Sequence, residues 1–213
     1  MSGMPAMNGM PRRVAVIDFE TTGMSPTMGD RATEIAIVLL EGDQVVDRYQ
    51  SLMNAGVRIP SFIQSLTGIS NEMIAAAPPA DTVMAEAARF VGEATPMAAH
   101  NAAFDRRFWQ AELARIDHAA AQPFACTLLL ARRLYPEAVS FKLGSLAAFH
   151  DLPSAGRAHR ALADAEVAAA LLRRIWRDLE RRYDVYDATH DLLLALQKAQ
   201  RHKLPTVIQR YAP

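Results

Sequence analysis

The sequence lacks the features that mark secreted, membrane-spanning or nucleic-acid-coating proteins. Cys126 is the only cysteine in 213 residues, which excludes an intrachain disulfide and suits a reducing, cytoplasmic compartment. No apolar run approaches the ~20 residues that a membrane-spanning helix needs. Basic and acidic residues number 23 each, so the formal net charge is zero. This balance argues against a broad basic surface, although not against a site that grips only the end of a nucleic-acid strand.

The composition is that of a globular protein, with 51% apolar residues and a length that suits one core plus an extension. Residues 1–11 carry no charge and lack the basic start of a secretory signal, so they are interpreted as a flexible leader. Residues 12–183 are predicted to form the main domain. Residues 184–213 are predicted to be a C-terminal extension, helical to about Gln200 and a tail from Pro205.

The stretch from Arg12 to Gly23 is the feature around which the chain is organised. Its short β-branched run predicts a buried strand that leads into Asp18 and Glu20. Residues two apart share a face of a strand, so these two carboxylates lie side by side. They repel each other unless a cation such as Mg²⁺ lies between them. The alternative is a solvated strand end with two acids in water.

The remaining pattern predicts an α/β fold with a mixed sheet flanked by helices. Two further strands, predicted at Ala32–Glu41 and Gln44–Met53, form a β-meander with the first strand. Later strands are predicted at Pro96–His100 and Phe124–Thr127, each followed by a helix, and the longest helix is predicted at 161–182. Ligands bind at the carboxyl ends of strands in such sheets, which is where Asp18 and Glu20 lie.

Two later segments contain further acidic residues and a histidine that could lie near the end of this strand. Asn101 is a residue type that suits a helix N-cap. If a helix begins after Asn101, Asp105 lies in its first turns. His159 precedes Asp164 by five residues, a separation that turns a helix by about 500° and leaves the two side chains ~140° apart. They converge only if His159 lies in the loop before the helix, which the sequence Ser154–Gly156 favours.

Brought together in one cleft, the four acids and His159 would form a strongly charged site. Four carboxylates without cations would be unstable in a partly buried position. Two divalent ions about 3.5–4 Å apart would neutralise them, and such a pair can activate water and stabilise the leaving oxygen of a phosphodiester.

The three motifs together resemble the DEDD-type 3′→5′ exonucleases of the His-containing subtype, which have an RNase H-like fold. The resemblance covers residues 12–182 and rests on Asp18–Gly23 (DFETTG), on His100-Asn101 followed by Phe104-Asp105, and on His159 followed by Asp164. Glu34 and the Leu66–Ile69 segment are secondary matches. DFETTG followed by Met is most similar to the epsilon-type proofreading subunit of bacterial replicative polymerases.

The resemblance implies catalytic roles for five residues. Asp18 would bridge two Mg²⁺ or Mn²⁺ ions. Glu20 and Asp164 would complete the site of the ion on the nucleophile side, and Asp105 would hold the other ion. His159 would be the general base that takes a proton from the attacking water, because imidazole titrates near neutral pH.

The same resemblance implies contacts with the terminal nucleotide. Thr21 and Thr22 would offer backbone or hydroxyl donors. Phe104, Met24 and Leu66 would pack against the base. Packing of this kind does not depend on which base is present. Phe104 could equally belong to the core. Asn101 is assigned to substrate binding, with a purely structural role as a helix cap as the alternative.

The implied function is hydrolysis at the 3′ end of single-stranded or frayed DNA, releasing nucleoside 5′-monophosphates and serving proofreading. One alternative is an RNA-trimming enzyme similar to RNase T or oligoribonuclease, because the motifs read the phosphate and not the sugar. Another is a nucleic-acid-binding module without turnover. The expected partner is the 3′ end of DNA or RNA, with a polymerase subunit or a second copy docking on residues 184–213.

Overall fold

The structure is a computed structural model that describes residues 13–153 and 159–211. The leader expected at residues 1–11 and the loop expected at Ser154–Gly156 lie outside the described residues.

One five-stranded mixed sheet forms the centre of the described chain. Its strands are β1 Arg13–Thr21, β2 Ala32–Glu41, β3 Gln44–Leu52, β4 Met97–Ala99 and β5 Phe124–Cys126. The spatial order is β3-β2-β1-β4-β5. β1 pairs antiparallel with β2, and β2 pairs antiparallel with β3. β4 pairs parallel with both β1 and β5, so the prediction of a meander extended by parallel strands is confirmed.

Helices cover both faces of this sheet. They are α1 Ser61–Thr67, α2 Asn71–Ala75, α3 Ala80–Val91, α4 Ala103–Ala114, α5 Thr127–Leu134, α6 Leu143–Phe149, α7 Ala161–Tyr183, α8 His190–Leu196 and α9 Leu204–Gln209, with 3₁₀ turns at Pro26–Met28 and Arg201–Lys203. None of the helices in the described part of the chain combines the length and apolarity that a bilayer span requires.

β1 is the middle strand and is buried on both faces. Val14 and Val16 pack in the core that contains α5, α7 and α8, whereas Ala15 and Ile17 pack in the core that contains α3 and α4. Side chains alternate along a strand. Asp18 therefore continues the row of Val14 and Val16 and faces the side of the sheet that α7 covers.

α7 is a 23-residue helix whose start lies against the sheet. It is rich in alanine, the residue with the highest helix propensity. Asp164 lies in its first turn and Arg181 and Arg182 lie in its last, which complements the helix dipole at both ends. The helix ends where Asp184 adopts a left-handed conformation with φ of 56°. The helix predicted at 161–182 is confirmed to within one residue.

The segment after α7 packs back onto the sheet side that α7 covers. Leu192, Leu193 and Leu196 of α8 are buried in the same core as α7, together with Leu204 and Ile208 of α9. The secondary structure predicted here was wrong in detail: the helix expected to about residue 200 is limited to α8, and α9 forms where a tail was expected. The clustered leucines are explained by this packing.

We expect Leu192→Ala to lower the free energy of unfolding by about 3 kcal/mol, because deleting a fully buried leucine side chain leaves a cavity. Leu192 is 1% exposed. Leu194→Ala on the same helix is the matched control, since Leu194 is only half-buried and its truncation should cost less than half as much. Urea unfolding measures both. Equal costs for the two variants would contradict the packing of α8 as part of the core.

Candidate functional site

Three separate elements bring the predicted acidic residues to the carboxyl end of β1. Asp18 and Glu20 are in β1 itself, Asp105 is in the first turn of α4, and Asp164 is in the first turn of α7. His159 lies just before α7, outside the helix, and has a left-handed backbone with φ of 61°. The prediction that His159 precedes the helix is confirmed.

Short contacts hold these residues together. The backbone N–H of His159 donates to Asp164 Oδ2 at 3.0 Å, and the backbone N–H of Phe19 donates to Asp105 Oδ1 at 3.3 Å. The candidate ligand atoms of Glu20, His159 and Asp164 all lie within 4.8 Å of one another. Glu20 and Asp164 are half-buried, Asp105 is buried and His159 is exposed. The arrangement leaves the imidazole accessible to solvent beside two carboxylates.

An ion pair between the buried Glu34 and the partly exposed Arg160, which the sequence did not reveal, supports this arrangement. Glu34 lies opposite Glu20 in the β1–β2 register and is fully buried. Arg160 donates to Glu34 Oε1 through Nη2 at 2.9 Å and to Oε2 through Nε at 3.1 Å. The N–H of Ala161 and the amide of Gln50 complete its hydrogen bonds, at 3.1 and 2.7 Å. Glu34 thus fixes the start of α7 beside His159.

Burial and mutual repulsion raise the proton affinity of the carboxyl groups. Burial first, and then the charges of Asp105 and Glu20, raise the pKa of Asp18 well above its usual range. Burial and the neighbouring Asp164 and Glu34 raise the pKa of Glu20 to about 8, while Arg160 opposes the shift.

The two helix-borne carboxyls behave in the same way. Burial raises the pKa of Asp105 to about 8, against the hydrogen bond from Phe19. Burial also raises the pKa of Asp164, against the hydrogen bond and charge of His159. The nearby positive charge does not offset burial and repulsion, so these four carboxyl groups retain protons. Their oxygen atoms are the ligands that hard divalent cations prefer.

The residues expected to contact a terminal nucleotide differ in burial and in their hydrogen bonds. Thr21 and Thr22 are buried, and Thr21 Oγ1 donates to Gly23 O at 2.6 Å. Thr22 Oγ1 accepts from the N–H of Arg31 at 3.0 Å. Met24 and Leu66 are exposed, at 68% and 45%. Their contact with substrate remains a prediction.

Asn101 and Phe104 flank Asp105 in different environments. Asn101 is exposed with φ of 68°, and Ala102 occupies the N-cap position of α4, so the predicted cap by Asn101 was wrong. Phe104 is half-buried and packs against Phe108 with ring centroids 4.9 Å apart. It belongs partly to the core while keeping an accessible face.

His100 has a structural position that the motif alone did not indicate. Its Nε2 donates to the carbonyl oxygen of Phe141 at 3.0 Å, and its Nδ1 lies 2.9 Å from Thr127 Oγ1. Burial lowers the pKa of His100 to about 4, so the ring is neutral near pH 7. It joins the end of β4 to α5 and to the residues before α6.

Comparison with known sequences gives a consistent family assignment. The sequence model of a family described as Exonuclease matches residues 15–172. The DNA polymerase III PolC-type of Clostridium perfringens is 35% identical over 172 residues, or 81% of this chain and 12% of that protein. The 3′-5′ exonuclease DinG of Bacillus subtilis is 36% identical over 178 residues, or 80% of this chain and 18% of that protein. The chain spans less than a fifth of the length of these relatives.

Solved structures share the architecture. Exonuclease X in complex with 5′-overhanging duplex DNA matches with a TM-score of 0.68 at 25% identity, covering 86% of this chain and 99% of that chain. E. coli Exonuclease I in complex with a dT13 oligonucleotide matches with a TM-score of 0.71 at 18% identity, covering 86% and 45%. The expected RNase H-like fold class is confirmed.

We expect the metal-free protein to lose stability as the pH rises from 7 to 9. In the unfolded chain carboxyl groups titrate near pH 4. In the folded state the pKa of Glu20 and of Asp105 is raised to about 8, so the folded state binds more protons in this window. The free energy of unfolding should therefore fall with pH, by roughly 1 kcal/mol for buried Asp105 alone. Urea unfolding in EDTA at several pH values measures this.

The measurement begins at pH 7 because three histidines affect stability at lower pH. Burial lowers the pKa of His100, His150 and His190, so their titration raises the free energy of unfolding as the pH increases towards 7. Asp105→Asn is the control and should flatten the decline. A free energy of unfolding that stays level or rises from pH 7 to 9 in the unsubstituted protein would contradict the shifts.

Proposed function

Because this chain belongs to the exonuclease family, we propose that it is a metal-dependent 3′→5′ exonuclease acting on single-stranded or frayed DNA. It hydrolyses the terminal phosphodiester and releases nucleoside 5′-monophosphates. The observation that carries the proposal is the convergence of Asp18, Glu20, Asp105 and Asp164 beside His159, on three elements that meet at the end of β1.

The four carboxylates would hold two Mg²⁺ or Mn²⁺ ions. Asp18 would be a ligand of both ions, a role that the family resemblance implies, and its carboxyl lies close enough to Asp105, Glu20 and Asp164 for their charges to raise its pKa. Glu20 and Asp164 would serve one ion, and Asp105 would serve the other. When bound, such ions lower the pKa of water and offset the negative charge that develops on the attacking and leaving oxygens. Binding of the ions would relieve the repulsion among the carboxylates, but it would also have to displace the protons that their raised pKa values retain.

His159 acts as the general base in this proposal. Its ring is exposed beside Glu20 and Asp164, so it can take a proton from the attacking water and release it to solvent. The hydrogen bond from its own backbone to Asp164 fixes the loop at the start of α7. Arg160, held by Glu34, anchors the next residue of the same loop.

The terminal nucleotide lies over the end of β1. Thr21, Thr22 and Asn101 provide polar groups around it, and the exposed Met24 and Leu66 with the accessible face of Phe104 provide apolar surface for the base. Contacts of this type hold a base without reading its identity. The site therefore removes any terminal nucleotide.

DNA is the proposed substrate because the relatives and neighbours named above are a DNA polymerase type, an exonuclease and nucleases bound to DNA. A role in proofreading beside a polymerase is proposed on the PolC-type likeness alone. α8 and α9 bury much of their apolar surface against the core, so a polymerase or a second copy would dock on their outer side.

The decisive assay incubates the protein with 5′-labelled single-stranded DNA or RNA, with Mg²⁺ or with EDTA. We expect stepwise 3′ shortening of DNA with Mg²⁺ only. Asp18→Asn should slow it by about a thousandfold or more, since several kcal/mol of charge stabilisation is lost. The variant should unfold at no lower temperature than the unsubstituted protein, because one repelling charge is removed.

The outcomes of this assay separate the alternatives. Preferential loss of RNA would move the chain to the RNA-trimming class. Binding of DNA without shortening under any divalent metal would make it a binding module and would end the exonuclease proposal.

We expect His159→Ala to lower kcat by about 10²–10⁴-fold, the usual contribution of a positioned general base. Mg²⁺ should still raise the melting temperature of the variant, because the carboxylates remain. His202→Ala, at an exposed histidine in the 3₁₀ turn before α9, is the matched control and should keep the full rate. Unchanged turnover by the His159 variant would remove this residue from the mechanism.

A further inference from the structure

A large cleft opens beside the carboxylates at the end of β1. Its volume is about 1310 Å³, and Asp18, His159 and Asp164 line one side. Pockets for drug-sized ligands usually measure roughly 300–1,000 Å³. The cleft therefore has room for more than the one nucleotide that is cleaved.

The lining of this cleft also includes four exposed basic residues from four different elements. They are Arg106 on α4, Arg132 on α5, Lys142 just before α6 and Lys198 just after α8. None of the four forms an ion pair with any residue in the described ranges, whereas arginines such as Arg31 and Arg160 are paired with buried acids. Positive charges that converge without partners repel one another, so the cleft favours an anionic occupant.

Apolar side chains lie between these charges. Leu128 and Leu129 of α5 are half-buried and line the cleft, and Leu143 at the start of α6 does the same. The guanidinium of Arg132 lies 6.0 Å from the centroid of the Phe141 ring, which restricts it. Grooves that bind single-stranded nucleic acid typically combine two features. Basic side chains follow the phosphate backbone, and apolar side chains beside them contact the bases.

The C-terminal segment is fastened to the sheet at this cleft. Gln197 Oε1 accepts from the N–H of Cys126 at 2.6 Å, and its Nε2 donates to the carbonyl oxygen of Phe124 at 3.2 Å. Arg133 Nε donates to the carbonyl oxygen of Ala199 at 3.0 Å. The two bonds of Gln197 satisfy the outer edge of β5, and together with the Arg133 bond they hold Lys198 on the cleft wall. Lys198 lies beyond residues 15–172, so the family match does not include it.

Resting on the exonuclease function proposed above, we propose that this cleft binds the nucleotides on the 5′ side of the scissile phosphodiester, and that Arg132 and Lys198 bind their phosphates. The scissile phosphodiester would lie at the side of the cleft that Asp18, His159 and Asp164 line. The strand then continues along α5 towards the end of α8. The C-terminal segment thus contributes to substrate binding, because it carries Lys198.

The test compares the double variant Arg132→Gln/Lys198→Gln with the unsubstituted protein on two substrates. A thymidine dinucleotide has only the scissile phosphodiester, whereas a ten-nucleotide oligothymidylate also has phosphates that extend into the cleft. We expect kcat/KM to fall about tenfold more for the longer substrate, through KM. The slope of log kcat/KM against log salt concentration should become shallower by about 1.4, or ~0.7 for each lost phosphate contact with a single strand.

Arg89→Gln is the matched control. Arg89 is exposed on α3, near Tyr49 on β3, and β3 is the sheet edge opposite β5. This variant should keep the kcat/KM of both substrates and the salt slope. Exposed substitutions of this kind change stability little, so all variants should melt at similar temperatures.

Two results would overturn the proposal: an equal loss on both substrates, or no loss on the longer one. If the unsubstituted protein cleaves neither substrate, the exonuclease function fails and the cleft is tested separately by fluorescence anisotropy. A labelled ten-nucleotide oligothymidylate should then bind the double variant about tenfold more weakly than the unsubstituted protein. Equal binding would reject the role of the cleft.

Discussion

Repulsion among carboxylates at the end of β1 is the constraint on which the site depends. Asp18 and Glu20 project from a strand that is buried on both faces, and Asp105 and Asp164 are brought to them by α4 and α7. Burial raises the pKa of all four carboxyls, and the charges of neighbouring acids raise the pKa of Asp18 and Glu20 further. The fold tolerates the arrangement because the surrounding core and backbone hydrogen bonds determine where each carboxyl lies.

The pair of Glu34 and Arg160 shows how the fold manages this charge. Glu34 is an additional buried acid next to Glu20, and it would add to the repulsion if it stood alone. Its bidentate contact with Arg160 turns it into an anchor for the loop that carries His159. Only Glu34 is buried in this pair, and loss of the partly exposed Arg160 would leave a buried charge uncompensated, so the pair fixes geometry more than it adds stability.

The neutral formal charge of the chain conceals an uneven distribution. Acidic side chains collect at the end of β1, while Arg132 and Lys198 lie along the same cleft without an acidic partner among the described residues. With the function proposed above, a phosphodiester backbone would complement both: the basic side chains would neutralise its phosphates along the cleft, and the scissile phosphate would lie beside the acidic cluster. The segment after α7 has two consequences in this scheme. It completes the core through α8 and α9, and the hydrogen bonds of Gln197 place the adjacent Lys198 on the wall of the cleft.

The sequence by itself determined the mixed sheet, the strand that carries Asp18 and Glu20, and the position of His159 before a helix, because alternation and helical spacing are local properties of the chain. It also identified all five candidate catalytic residues through three ordered motifs. Only the tertiary structure decided that Glu34 pairs with Arg160, that α9 forms, and that Asn101 does not cap α4. The same holds for Gln197, which bonds to the edge of β5 from 71 residues away. These features depend on contacts between residues far apart in the chain, and no local pattern specifies which distant partner satisfies a buried charge or a free strand edge.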